Sequence, residues 1–208
     1  MPFDFFVSAL VTLFVVVDPL GLVPAFLAAT EKASAVARRT IAWNACIIAG
    51  LILAGFALAG DWLLWALGIT LSAFRIAGGL LLFIVAFDMV LGWRVPREAD
   101  TAEQALEERA RHIAAFPLAT PLMAGPGAIT ATILLAGQTQ GQPVGLAILL
   151  VVIALVICAC LAAFIFAAVI RRWIGAVGGM VLSRLLGIVL AALAVQYVID
   201  GTRSAFGL

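Results

Sequence analysis

The sequence predicts an all-α polytopic membrane protein, with six transmembrane helices arranged as two inverted three-helix repeats and with the first and fourth helices broken. Three observations predict this. The chain has 208 residues and is 65% hydrophobic and only 11% charged, against roughly a quarter charged in soluble domains. Its apolar runs reach the ~20 residues that a helix needs to cross a bilayer. The same punctuation also occurs twice, in Asp18-Pro19-Leu20-Gly21-Leu22-Val23-Pro24 and in Thr120-Pro121-Leu122-Met123-Ala124-Gly125-Pro126-Gly127.

Each element follows from where the apolar runs stop. The spans are expected near 3–29, 39–59, 69–92, 113–136, 144–170 and 178–200. The first opens without a basic flank and runs past signal-peptide length, so it is expected to stay in the mature protein. Glu31 to Arg39 separates it from the second. Gly60 to Trp62, helped by Gly68 and interfacial Trp62 and Trp65, turns the chain into the third. Trp93 to His112 is the one long charged stretch, and its mixed signs suit a solvated loop. Gly137 to Pro143 ends the fourth span, and Arg171 to Trp173 ends the fifth. The chain thus reads as one transmembrane domain over 1–208, with a first repeat over about 1–92, a loop over about 93–112 and a second repeat over about 113–208.

Lys32, Arg38 and Arg39 follow the first span, Arg94, Arg97, Arg109 and Arg111 the third, and Arg171 and Arg172 the fifth. The loops after the second and fourth carry no Lys or Arg. The positive-inside rule then puts both termini outside. The two halves also correspond. Pro19 and Pro24 map onto Pro121 and Pro126, and Arg75-Ile76-Ala77-Gly78 onto Arg184-Leu185-Leu186-Gly187. Two tandem halves with three crossings each must sit in opposite orientations. Chance likeness between apolar helices is the competing explanation.

The chemistry-bearing candidates lie at the breaks. Proline inside a helix removes a backbone donor and clashes with the preceding turn. In lipid the freed groups are tolerated only where protein or a watery cavity satisfies them. Two interrupted spans at matching positions point to a transporter's substrate site. Asp18 follows Phe14-Val15-Val16-Val17, and a carboxylate at mid-span costs roughly 2.5–3.5 kcal/mol on insertion scales. Asp18 before Pro19 fits a helix cap, either alone or together with binding of a substrate amine or proton. Thr120 before Pro121 fits the same pattern. Beyond Gly125-Pro126-Gly127 a half-helix resumes, and its first N–H groups favour an anion such as a substrate carboxylate. Thr130 and Thr132 offer hydroxyls there. A kink that only shapes packing is the plainer reading.

Arg75, Asp88 and Arg184 lie toward span ends, where structural or gating roles outweigh substrate contact. His112 reads as solvated, and Gln138 and Gln142 sit in an outer loop without a distinctive pattern. Cys46, Cys158 and Cys160 lack metal-ligand spacing and read as packing residues, so no metal and no disulfide is expected. With a net charge of +1 there is no basic field for nucleic acid. No nucleotide-binding or catalytic motif occurs, so the chain does not read as an enzyme and no cofactor is expected.

Three stretches resemble the MarC family of integral membrane proteins, also called the neutral amino acid transporter family. They are Asp18 through Phe26, then Ala73-Phe74-Arg75-Ile76-Ala77-Gly78-Gly79 through Asp88, then Pro117 through Thr130. The resemblance covers nearly the whole chain. It implies a bacterial inner-membrane protein related to LysE-type amino acid exporters. Together these readings point to a secondary carrier of small neutral amino acids, glycine- or alanine-like. The expected site comprises Asp18, Pro19, Gly21, Pro24, Thr120, Pro121, Gly125, Pro126, Gly127 and Thr130. Coupling to H+ or Na+ is compatible with it, and lipids are the expected surroundings. The glycine-rich third spans allow a homodimer. A passive channel or exporter of another small solute, or a non-transporting membrane scaffold, stands as the alternative.

Overall fold

The computed structural model describes residues 2–31, 33–91, 119, 123–139 and 141–207. Among the described residues the regular structure is helical and there are no strands. The helices are α1 (Pro2–Val17), α2 (Leu22–Ala29), α3 (Ala35–Ala66), α4 (Leu71–Leu91), α5 (Pro126–Gln138), α6 (Pro143–Ile165) and α7 (Ala167–Phe206). Thr120, Pro121 and the charged stretch Arg94 to His112 lie outside the described residues. Four stretches are long and apolar enough to cross a membrane: Ala35–Gly60, Leu71–Leu91, Pro143–Ile165 and Met180–Phe206. A fifth arises if α1 and α2, bent by 43° at their break, count as one span.

Two boundaries differ from those the sequence suggests. The helix does not turn at Gly60 to Trp62, because α3 continues to Ala66. Gly68, at φ +69°, makes the turn instead. The Ile69 amide donates to the Leu64 carbonyl at 2.9 Å and the Gly68 amide to Trp65 at 3.0 Å. That pair of bonds is the Schellman closure, which places glycine in the left-handed conformation. Gly60 serves packing: a Cβ there would come within 2.8 Å of Ile133 on α5. Similarly, Arg171 to Trp173 lie inside α7, and the helical run is interrupted at Phe166. Arginine is a good helix former, so a charged stretch marks where the chain leaves the apolar layer without ending the helix.

The core is organised around α5. From Gly127 to Ala136 it is buried on nearly every side, as expected of a helix surrounded by others. At about 1.5 Å per residue its 13 residues cover about 20 Å, too little to span a bilayer alone. Small residues let its neighbours approach. Gly60 on α3 meets Ile133, Gly78 on α4 meets the Thr130 methyl, and Gly127 meets Leu82 on α4 and Val16 on α1. Phe26 on α2 stacks on Phe164 of α6, with ring centroids 4.4 Å apart.

The most extensive helix contact joins α4 and α7. Gly79 faces Ala194 and Val198, Gly187 faces Ala86, Met89 and Val90, and Gly201 faces Ser72, Arg75 and Ile76. Numbers rise on one helix as they fall on the other, so the pair runs antiparallel. One end of the bundle, the terminal end, gathers the start of α1, the turn at Gly68, the α5–α6 turn and the end of α7. At Gly187 an added Cβ would sit 2.9 Å from the Met89 Cβ and 3.2 Å from the Ala86 carbonyl. Overpacking of this kind costs about 1–3 kcal/mol. Gly187→Leu is therefore expected to lower the thermal unfolding midpoint in detergent. Gly55→Ala, where nothing lies within 4 Å of the new Cβ, should leave it unchanged or slightly raised.

Candidate functional site

The first break is built by Asp18. Its amide still donates to the Phe14 carbonyl at 3.0 Å, closing α1. Its backbone then turns to φ +49°, the one non-glycine positive φ among the described residues. Aspartate tolerates this region better than most residues because its short side chain bonds locally. Here Oδ1 accepts from the Gly21 amide at 3.0 Å, and the Asp18 carbonyl accepts from the Leu22 amide at 3.1 Å. The residue thus caps the Pro19–Gly21 turn, and α2 itself begins only at Leu22, three residues later than the Asp-Pro pattern suggests.

The second carboxylate oxygen reaches another helix. Ser183 on α7 donates its hydroxyl to Asp18 Oδ2 at 2.6 Å, a length typical of a hydroxyl bonded to a charged acceptor. Asp18 is 1% exposed. Among the described residues no cation pairs with it, so both of its bonds come from neutral donors. Gly21 completes the fit. A Cβ there would collide with the Asp18 carboxylate and come within 2.7 Å of Ser183 Oγ.

The start of α5 is built differently, and residues 120–122 just before it lie outside the described ones. Gly125 is extended, at φ −76° and ψ 173°, and gives no side-chain cap. Pro126 takes the first helical position, where its missing N–H is no loss. Before it, the Ala124 amide donates to the Ala119 carbonyl at 2.8 Å. Ala119, Met123 and Ala124 are all fully buried. Gly127 lies against Val16, two residues before Asp18, so the start of α5 packs beside the first break.

The structure sorts the expected site residues. It brings Asp18, Pro19, Gly21, Gly125 and Gly127 into this buried region. Pro24 and Pro126 are exposed, at matching positions after their breaks. The Thr130 methyl packs on Gly78, and the Thr132 hydroxyl donates to its own helix at the Ala128 carbonyl, 2.7 Å away. Thr132 is therefore engaged within α5 and not offered to a ligand. Arg75 lies at the terminal end, against Gly201. Asp88 and Arg184 lie toward the other end of the α4–α7 pair, Arg184 exposed. Sequence reasoning missed Ser183, because a serine in an apolar helix carries no motif. It also missed a cavity of about 400 Å³ lined by Ser8, Thr12, Gln138, Gln196 and Tyr197.

These features define an integral membrane protein of packed apolar helices with a buried polar break. Residues 3–206 match the MarC family, described as MarC family integral membrane protein. The chain belongs to that family. It is 40% identical over 204 residues to a UPF0056 membrane protein of Archaeoglobus fulgidus, covering 95% of this chain and 92% of the other. It is 36% identical to UPF0056 membrane protein MJ1677 of Methanocaldococcus jannaschii, with 99% of each chain covered. It is 33% identical to UPF0056 membrane protein YhcE of Escherichia coli K12, covering 98% and 93%. No solved structure matches the chain.

The Asp18–Ser183 bond can be weighed directly. Cross-helix hydrogen bonds in membrane proteins average about 0.6 kcal/mol and reach about 1.7, and a charged acceptor favours the upper end. A double-mutant cycle of Asp18→Asn and Ser183→Ala, read by unfolding in mixed micelles, should give a coupling of about 1–2 kcal/mol. Additive effects would mean that the two side chains do not act together.

Proposed function

We propose that the chain is a secondary carrier of small neutral amino acids, with its substrate held between the two breaks. The observation that carries this reading is the Asp18 carboxylate. It is buried at the break between α1 and α2, bonded among the described residues only to neutral donors, and two residues from Val16, which packs against Gly127 near the start of α5. A buried carboxylate without a cation suits a substrate ammonium or a coupling proton. An uncapped half-helix start suits a carboxylate. A zwitterion satisfies both. A larger charged solute would need more desolvated partners than these residues offer.

On this reading the chain has six spans in two inverted halves and lies in the bacterial inner membrane with both termini outside. The antiparallel α4–α7 contact supports the inversion, because the third spans of two inverted halves must cross in opposite directions. Arg75 and Arg184, at opposite ends of that pair, fit the same symmetry.

The test is counterflow of labelled alanine in proteoliposomes. Wild-type protein should exchange alanine saturably. Asp18→Asn should slow exchange by about tenfold or more, equivalent to about 1.4 kcal/mol or more. Exchange that survives the substitution would reduce Asp18 to a cap. Non-saturable flux would favour a channel. No exchange by folded protein across a panel of neutral amino acids would leave a scaffold as the better reading.

A further inference from the structure

The cavity at the terminal end lies apart from the breaks. Its volume of about 400 Å³ falls within the range of small-molecule sites. Five hydrogen-bonding side chains converge on it from three helices: Ser8 and Thr12 from α1, Gln138 from α5, and Gln196 and Tyr197 from α7. Serine and threonine commonly sit in apolar helices by bonding back to their own turn, as Thr132 and Thr202 do. Thr12 is hydrogen-bonded instead to Tyr197 of α7, and Ser8 makes no bond to its own turn among the described residues; both line the cavity.

Two opposite charges, Arg75 and Asp200, do not line this cavity but both lie near Tyr197, which does. Arg75 packs onto Gly201, an added Cβ there lying 3.0 Å from the Arg75 Cβ. That places Arg75 one helical turn beyond Tyr197, on the same face of α7. Its guanidinium donates to Ser204 Oγ at 3.4 Å. Asp200 accepts at Oδ1 from Gln196 Nε2 at 2.8 Å, and Gln196 lines the cavity. The two charges occupy the same stretch of α7, yet each is engaged by a neutral side chain and they do not pair with each other.

We propose that this cavity is a second binding station, separate from the breaks, for a zwitterion whose carboxylate meets Arg75 and whose ammonium meets Asp200. Arginine's planar fork matches a carboxylate in two parallel bonds. A lone anion would be opposed by Asp200 and a lone cation by Arg75, so the pair selects a solute carrying both charges. The amides and hydroxyls of the wall take up the remaining hydrogen bonds. The station rests on the carrier reading for its substrate class only.

The test uses the full chain in lipid nanodiscs, with Cys46, Cys158 and Cys160 replaced by alanine. A single cysteine is introduced by Ser8→Cys, at the exposed edge of the cavity, and labelled with a charged, membrane-impermeant methanethiosulfonate. It should react at least tenfold faster than Val11→Cys, which lies one turn on along α1 and is half exposed to the surroundings. Glycine, alanine, serine or leucine should slow labelling at Ser8→Cys several-fold, whereas acetate and ethylammonium should not. Arg75→Gln and Asp200→Asn should each abolish protection while labelling itself persists, which shows that the variants are folded. Asp18→Asn should leave protection intact. Absence of labelling, absence of protection by all four amino acids, equal protection by acetate, or protection indifferent to both charge substitutions would each overturn the proposal. Protection without counterflow would sink the carrier reading and leave the station standing. Counterflow without protection would do the reverse.

Discussion

A helix cannot stop inside a bilayer unless the backbone groups it releases find partners within the protein. Asp18 meets that constraint almost alone. Its amide ends α1, its carbonyl receives Leu22, and its carboxylate receives Gly21. Other features depend on that arrangement. Gly21 has no room for a side chain because the carboxylate occupies the space. Ser183 ties the break to α7. Since α7 packs along α4 through Gly79, Gly187 and Gly201, the position of the break is linked to that of the antiparallel pair.

The second break answers the same constraint by other means. Proline at the first helical position removes one donor before it needs a partner, and extended Gly125 brings the chain in without a side-chain cap. The helix that begins there, α5, is short and enclosed by α1, α3, α4 and α6. Only small contacts allow such enclosure: Gly60, Gly78 and Gly127 each stand where a Cβ would press on a neighbour. The first break is thus closed by a carboxylate, whereas α5 starts without a side-chain cap and packs near it only through Gly127 and Val16.

Much of this was legible in the sequence because the membrane restricts the alternatives. Apolar run length fixed most of the described spans to within a few residues, Pro19 marked the break between α1 and α2, and Pro126 marked the start of α5. Glycines in the third spans indicated close helix packing, and they do make the α4–α7 contact. The misplaced boundaries have a common cause. Gly60-Asp61 and Arg171-Arg172 change polarity without changing conformation, so they read as turns while the helices pass through them. The partner of Asp18 was not legible, since Ser183 is 165 positions away and only the tertiary fold selects it among several serines. Thr132 misled for the opposite reason. A hydroxyl on a half-helix looks available to a ligand until its own i−4 carbonyl claims it. The cavity at the terminal end draws on Ser8, Thr12, Gln138, Gln196 and Tyr197, which are too dispersed along the chain to form a motif.

The distribution of polarity along α1 and α7 has a mechanical consequence on the carrier reading. Ser8 and Thr12 lie toward the terminal end of α1 and Asp18 at its break, and on α7 Gln196 and Tyr197 lie toward that same end while Ser183 lies at the level of the break. Between the two polar groups in sequence lie Val15, Val16, Val17 and Leu190, all buried, with Val16 turned toward Gly127 of α5. A zwitterion cannot cross such a layer without losing its hydrogen bonds, so passage requires the layer to open. The packing indicates where. α7 is joined extensively to α4 and only lightly to α1, so the α1–α7 seam is the more weakly held of the two. The Asp18–Ser183 bond is a direct polar tie across that seam, and on the carrier reading a substrate ammonium that takes the carboxylate would release it.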